Sequence, residues 1–226
     1  MKRLFKQNSI FLGLSLLLIA VLAAAVTIVP KGELHLLLCN RHSAGRDVFY
    51  RYYTQVGEWV PYVVCIGLLI HRLSTAVFTT ACVLLSGAAT QIIKRIVDAP
   101  RPLTWFAEHY PNVQLPLVDG VHMSRFFSFP SGHTTTFFAF FFALSIVVSH
   151  SSFASCKPMA ARALQVVFFC CAALGGYSRI YLSQHFAADV LGGMCIGLAI
   201  TSILYPLFLR FEQEKWGKMH FFAKKA

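Results

Sequence analysis

Six apolar stretches, at about residues 9–29, 57–70, 74–93, 132–149, 162–179 and 186–208, restrict what this chain can fold into more than any other feature. Crossing a bilayer takes roughly 20 mainly apolar residues in helical form. In hydrocarbon every backbone N–H and C=O must be satisfied from within, so a single apolar segment of this length has only the helix open to it. With 57% hydrophobic residues and 13% charged, the chain also lacks the polar surface of a soluble domain. The reading is all-α: a polytopic membrane protein with six transmembrane helices in a bundle. No Pro-, Ser- or Gly-rich linker divides the 226 residues, so 1–226 reads as a single integral membrane domain. No internal repeat of the transporter kind is visible.

The second stretch is the weakest, bounded by Glu58 and by His71-Arg72, and its start could also be set near Val56. Pro30, Pro61 and Pro206 are expected near span ends, where a lost hydrogen bond costs least. Gly193 and Gly197, with Gly192, give the sixth span a small-residue face for close helix packing. Between the first two spans, Lys31 to Gln55 mixes Leu36-Leu37-Leu38 with Arg41, Arg46 and Arg51 and reads as an interfacial helix able to gather anionic headgroups. The first stretch follows a basic start and contains Ala23-Ala24-Ala25, as a signal peptide would. Its apolar run continues through Val29, which favours a retained helix.

Orientation follows from Lys and Arg. With an even number of spans and the N-terminus inside, Lys2, Arg3, Lys6, Arg72, Lys157, Arg162, Arg210, Lys215, Lys218, Lys224 and Lys225 are cytoplasmic, 11 of the 20 basic residues. Setting Lys94, Arg101 and Arg179 aside as site residues leaves six outside, and the positive-inside rule then places both termini in the cytoplasm. The net charge of +11 suits anionic lipid, while the basic residues form no continuous patch for nucleic acid. Of seven cysteines, Cys65, Cys82, Cys170, Cys171 and Cys195 fall in spans, Cys156 in an inner loop and Cys39 in an outer one. Neither a disulfide framework nor a zinc site is expected, for no Cys-x-x-Cys pair exists.

Three short motifs carry the chemistry. Lys94 ends the third span and His133 opens the fourth, so both stand on one face; Arg179 ends the fifth and Asp189 opens the sixth, and they share a face too. Third and fifth spans run in the same direction, so groups up to about 95 positions apart meet on one membrane surface. Ser131-Gly132-His133 opens a helix behind Pro130, where free N–H groups and the positive dipole end can hold phosphate oxygens. A plain helix cap would use the same residues. Lys94 and Arg101 offer a point charge and a planar fork to an anion, although a lone Lys or Arg at a membrane boundary also snorkels. His185 and Asp189 are four apart and, if helical, share a face. The carboxylate then fixes one imidazole nitrogen and leaves the other as an oriented nucleophile. A structural polar pair, or a metal site, would also fit; metal fits less well because Lys94, Arg101 and Arg179 would repel a cation.

The pattern Lys-x6-Arg-Pro, Pro-Ser-Gly-His, Ser-Arg-x5-His-x3-Asp resembles that of the type 2 phosphatidic acid phosphatase superfamily. It is complete here at Lys94, Arg101, Pro102, Pro130, Ser131, Gly132, His133, Ser178, Arg179, His185 and Asp189, from the third span to the sixth. The resemblance implies a six-helix bundle and a metal-independent hydrolase that needs no cofactor. It assigns His185 as the nucleophile forming a phosphohistidine, Asp189 as its orienting carboxylate and His133 as the acid for the leaving oxygen. Lys94, Arg101, Ser131, Gly132 and Arg179 would bind the substrate phosphate, with Ser178 only fixing the approach of Arg179. Asp98, four after Lys94, is expected to steady that lysine. Trp105, Phe106, Tyr110, Phe126 and Phe127 suit an interfacial belt around a lipid headgroup, or a bland loop anchor; Arg125 and His122 could touch a second phosphate or a sugar.

The implied substrate is a membrane lipid phosphate, with no nucleic acid and no obligatory protein partner. The segment from Ile96 to Val121 looks most like the lipid A phosphatase branch, in its 4′-acting form. Undecaprenyl pyrophosphate phosphatase, phosphatidylglycerophosphate phosphatase, lipid phosphotransferase and a catalytically idle membrane protein stay open. The matching location is a bacterial inner membrane, with the active site facing the periplasm.

Overall fold

The computed structural model describes residues 2–214, 216, 217 and 219. Its helices are α1 (Lys2–Gln7), α2 (Ser9–Ile28), α3 (Lys31–Cys39), α4 (Ala44–His71) and α5 (Leu73–Val97), followed by α6 (Pro102–His109), α7 (Gly132–His150), α8 (Ser152–Cys156), α9 (Pro158–Tyr181) and α10 (Ala187–Gln213); no strand occurs among the described residues. Helices α2, α4, α5, α7, α9 and α10 supply six segments long and apolar enough to cross a membrane. Lys215, Lys218, Lys224 and Lys225, used above for orientation, lie outside the described residues.

Two expectations about elements are corrected. The stretch 31–55 is not one interfacial helix: it breaks after α3, and its last part is the start of α4. Ser43 caps α4 by accepting the Arg46 N–H at 3.4 Å. The first turns of α4 carry Arg46, Arg51 and Gln55, which lowered the apolar signal and hid the helix. Arg51 and Gln55 are tolerated because they line a polar cavity. Pro61 and Pro206 fall inside α4 and α10 rather than at their ends. All seven cysteines are free.

Helix α7 is apolar around its circumference, and such a helix belongs in an interior. It packs against α4, α5, α9 and α10, with Phe138, Phe142 and Ile146 fully buried together with Met194 of α10. The α7–α10 crossing is close because of glycine. A Cβ on Gly193 would stand 2.6 Å from the Ser131 carbonyl oxygen, and one on Gly197 2.7 Å from that of Thr135. The Phe137 ring lies against both Gly57 of α4 and Gly175 of α9, where a Cβ would come within 2.4 Å of it. At the other end of the bundle, Phe11 of α2 stacks on Phe142 at 5.2 Å, and the Ser145 hydroxyl donates to the Asn8 side chain at 2.8 Å. Because α5 and α9 run one way and α4, α7 and α10 the other, five helix ends meet at a single pole.

Candidate active site

At that pole lies a cavity of about 740 Å³, lined by Lys94, Arg101, Gly132, His133, Arg179 and His185 among others. The span-parity argument thus holds: all three motifs reach one space. Lys94 sits in the last turn of α5, buried, with Nζ donating to the Phe127 carbonyl at 2.7 Å. Asp98 does not steady it as expected. That residue adopts φ +40° and closes the helix, its backbone N–H donating to the Lys94 carbonyl at 3.0 Å. Arg101 follows the turn, with Pro102 opening α6. Its Nε donates to the Phe126 carbonyl at 3.0 Å and Nη1 to Gln184 Oε1 at 3.0 Å. The two cations thereby pin the chain before α7 while lining the cavity.

Ser131 is the N-cap of α7: its Oγ accepts the Thr134 N–H at 3.4 Å and the Thr134 hydroxyl at 2.9 Å. It is fully buried, and its own N–H donates to the Asp189 carbonyl at 2.9 Å. The cap reading is therefore correct for its side chain, and Gly132 and His133 are the residues of this motif that face the cavity. As the first residues of the helix they present N–H groups that have no intrahelical acceptor.

His185 precedes α10 rather than lying on it, so the geometry is not the expected face of one helix. After Ser183, at φ +51°, the chain turns and the N–H groups of Gln184 and His185 both donate to the Arg179 carbonyl, at 3.0 and 3.1 Å. The turn brings His185 Nδ1 to 3.4 Å from Asp189 Oδ2. That oxygen also accepts the Ser128 hydroxyl at 2.5 Å and the Phe186 N–H at 2.8 Å. With Nδ1 turned to the carboxylate, Nε2 is the nitrogen free for the cavity. Burial pushes the imidazole well below its usual range, to about 3; Asp189 opposes this, and Arg179 and Arg101 reinforce it. This burial favours the neutral imidazole, the form that can offer a nitrogen lone pair to the cavity. From behind, α3 holds the turn: His35 Nε2 lies 3.3 Å from the Ser183 hydroxyl and its ring packs on Phe186 at 5.2 Å.

Arg179 is nearly buried and donates through Nη1 to Thr54 Oγ1 at 2.6 Å. Its Nε is buried with no acceptor among the described residues, the kind of unmet donor that an anionic oxygen would satisfy. Ser178 does not guide it, since its hydroxyl donates to the Gly175 carbonyl at 2.6 Å. His133 Nε2 lies 2.7 Å from Glu58 Oε1. His122 lines the cavity, whereas Arg125 is absent from the lining and contributes its carbonyl to the Arg101 N–H. Trp105, Phe106 and Tyr110 follow the anchor reading, packed on one another in edge-on and tilted contacts, with Trp105 and Phe106 also against Phe186; Phe126 and Phe127 stay exposed.

Four site residues were not anticipated: Thr54, Glu58, Ser128 and Gln184. Thr54 and Glu58 lie four apart on α4, a helical spacing that the sequence reading split between the interfacial stretch ending at Gln55 and the second span bounded by Glu58. Ser128 and Gln184 adjoin the motifs, and only the tertiary approach of Ser128 to Asp189, and of Arg101 and His122 to Gln184, reveals what they hold. Among the described residues, no three His, Cys, Asp or Glu side chains cluster in a way that could hold a metal ion.

A helical membrane bundle whose pole combines three cations, a helix N-terminus and a carboxylate-backed histidine defines a class of protein equipped to grip an oxyanion at the bilayer surface. Residues 75–213 match the PAP2 superfamily, more than half of the chain and all of its motifs, and the protein belongs to that superfamily. It is 28% identical over 157 residues to a lipid A 1-phosphatase of Rhizobium etli, a match covering 66% of this chain and 59% of that one. It is 37% identical over 95 residues to phosphatidylglycerophosphatase B of Bacillus subtilis, covering 42% and 43%. The crystal structure of Aquifex aeolicus LpxE superposes with a TM-score of 0.58 at 26% identity, over 77% of this chain and 93% of the other. The chain spans about half the length of the curated relatives it matches.

Proposed function

We propose that the protein is a lipid phosphatase that hydrolyses a phosphate from an envelope lipid through a phosphohistidine, without a metal ion, and that residues 1–226 act as one domain. The observation that carries this is the meeting of Lys94, Arg101, Arg179 and the α7 N-terminus opposite His185 in one cavity, with Asp189 behind the imidazole. His185 Nε2 forms a bond to phosphorus while the bond to the leaving oxygen breaks, its electron pair staying on that oxygen, which takes a proton from His133. Water then attacks phosphorus, gives a proton to His133, and releases inorganic phosphate as the P–N bond breaks. Phosphoryl transfer depends mainly on positioning and on balancing charge over the equatorial oxygens. Lys94, Arg101, Arg179 and the Gly132 and His133 N–H groups supply that charge, where another enzyme would use a metal ion.

A lipid substrate is supported by the cavity's depth. Its lining runs along α5 from Lys94 to Val83 and Leu84, about 15 Å at the helical rise, and includes Tyr62 of α4. Leu84 and Tyr62 are also exposed, on helices long and apolar enough to cross a membrane. The Rhizobium relative's name supports lipid A as substrate and its 1-phosphate rather than the 4′-phosphate; the Bacillus relative's name supports phosphatidylglycerophosphate. The charge distribution and the bacterial relatives support an inner membrane location with the cavity on the periplasmic side.

The test is phosphate release by purified protein from lipid A, undecaprenyl pyrophosphate and phosphatidylglycerophosphate, with and without a chelator, against His185→Ala. Release that survives chelation and disappears in the variant is expected, and acid-labile phosphate trapped on His185 should appear in single turnovers. Transfer to a second lipid without free phosphate would make the protein a phosphotransferase. Release that persists in His185→Ala would overturn the mechanism.

A further inference from the structure

Glu58 is the one acidic side chain among the described residues lining the cavity, and the reaction above gives it no task. It stands one turn along α4 from Thr54, which holds Arg179, and its Oε1 lies 2.7 Å from His133 Nε2. The nitrogen placed to protonate the leaving oxygen therefore already faces a carboxylate. Any leaving group must enter the few ångströms that this carboxylate occupies, and Glu58, with 49% of its side chain exposed, is free to turn toward it.

A carboxylate at that point treats leaving groups unequally. A sugar or glycerol hydroxyl next to the scissile oxygen can donate a hydrogen bond to it in place of His133. A second phosphate bonded directly to the scissile oxygen brings negative charge against it instead, and like charges in close contact disfavour a complex strongly. Lys94, Arg101 and Arg179 serve the transferred phosphate and do not single out the leaving side. Arg51, seven residues from Glu58 on α4, is about 10 Å away along the axis and is engaged with the Asp119 carbonyl at 3.0 Å.

Resting on the phosphatase reading, we propose that Glu58 determines leaving-group specificity, selecting phosphate monoesters of hydroxyl-bearing lipids and excluding lipid pyrophosphates. In both cases the chemical step is the same: the P–O bond breaks, its electrons stay on the leaving oxygen, and His133 supplies the proton. Glu58 changes only how well each leaving group is accommodated while that happens.

The experiment compares kcat/KM for phosphatidylglycerophosphate and for undecaprenyl pyrophosphate in detergent micelles, using the unaltered chain, Glu58→Gln and Glu58→Asp. Removing the charge should shift the monoester-to-pyrophosphate ratio by about tenfold or more toward pyrophosphate, largely through a lower KM for that substrate. Glu58→Asp, which keeps the charge, should keep the preference. A ratio unchanged in Glu58→Gln, or lost equally in both variants, overturns the inference, because a carboxylate that merely positions His133 would scale both substrates together. Release from neither lipid, nor from lipid A, by the unaltered chain would remove the phosphatase reading and this inference with it. Release with an unaltered ratio would remove this inference alone.

Discussion

Asp189 is held by a hydroxyl that no motif contains. Its Oδ2 accepts from Ser128 at 2.5 Å and from the Phe186 N–H at 2.8 Å, while His185 Nδ1 stands further off at 3.4 Å. Ser128 is itself held by its N–H on the Ala99 carbonyl at 2.9 Å. Two donors thus hold the same carboxylate oxygen that His185 Nδ1 faces. Hydrogen bonds to a charged group contribute about 1.5–3 kcal/mol. Removing this one should cost roughly 10- to 100-fold in turnover at 1.36 kcal/mol per decade. Ser128→Ala is therefore expected to lower kcat by that factor and leave KM close to its original value, since Ser128 does not line the cavity. Steady-state kinetics on any accepted lipid would decide it, and a rise in KM with kcat intact would assign Ser128 to substrate binding instead.

At the scale of helices, catalytic geometry depends on how near α10 can come to α7. Gly193 lies against the residues that open α7, and a Cβ there would stand 2.6 Å from the Ser131 carbonyl oxygen and 3.0 Å from Thr134 Cβ. One turn further, a Cβ on Gly197 would meet the Thr135 carbonyl at 2.7 Å and the Ala139 nitrogen at 2.9 Å. Backbone atoms cannot swing aside as side chains do, so each alanine must push the helices apart, at about 1–3 kcal/mol for overpacking. Gly193→Ala and Gly197→Ala should both lower the thermal unfolding midpoint in detergent, and Gly193→Ala should also reduce kcat because it displaces Gly132 and His133. Gly13→Ala, with no atom within 4 Å, should change neither. This small-residue face was legible in sequence because glycine spaced four apart on an apolar helix has few other uses. The first half of α4 was not, because Arg51, Gln55 and Glu58 break the apolar pattern while their partners, the Asp119 carbonyl and His133, are distant in the chain. What the sequence could not express was therefore the polar lining contributed by a spanning helix, together with the order of residues 182–186, where His185 sits in a turn and not on α10.

For the whole molecule the parity of six spans sets which helix ends share a pole, and that is why the sequence alone joins three separated motifs. Which side of the membrane that pole faces is a different matter, for which charge supplies the prediction. Among the described residues the pole opposite the cavity carries Lys2, Arg3, Lys6, Arg72, Lys157, Arg162 and Arg210, against Lys31, Arg41, Arg46, Arg51, Arg95 and Arg125 near it once the three cavity cations are set apart. The margin there is a single residue, so the predicted orientation draws most of its weight from Lys215, Lys218, Lys224 and Lys225. It can be read directly with cysteine chemistry. Cys156, exposed in α8 between α7 and α9, marks the far pole. Asn112, exposed in the loop between α6 and α7, marks the cavity pole. In cells expressing chains that keep only Cys156, or only a cysteine introduced by Asn112→Cys, a membrane-impermeant maleimide should label the second before lysis and the first only afterwards. The reverse pattern would turn the bundle over and put the cavity in the cytoplasm, where the lipid phosphates of the outer leaflet could not reach His185.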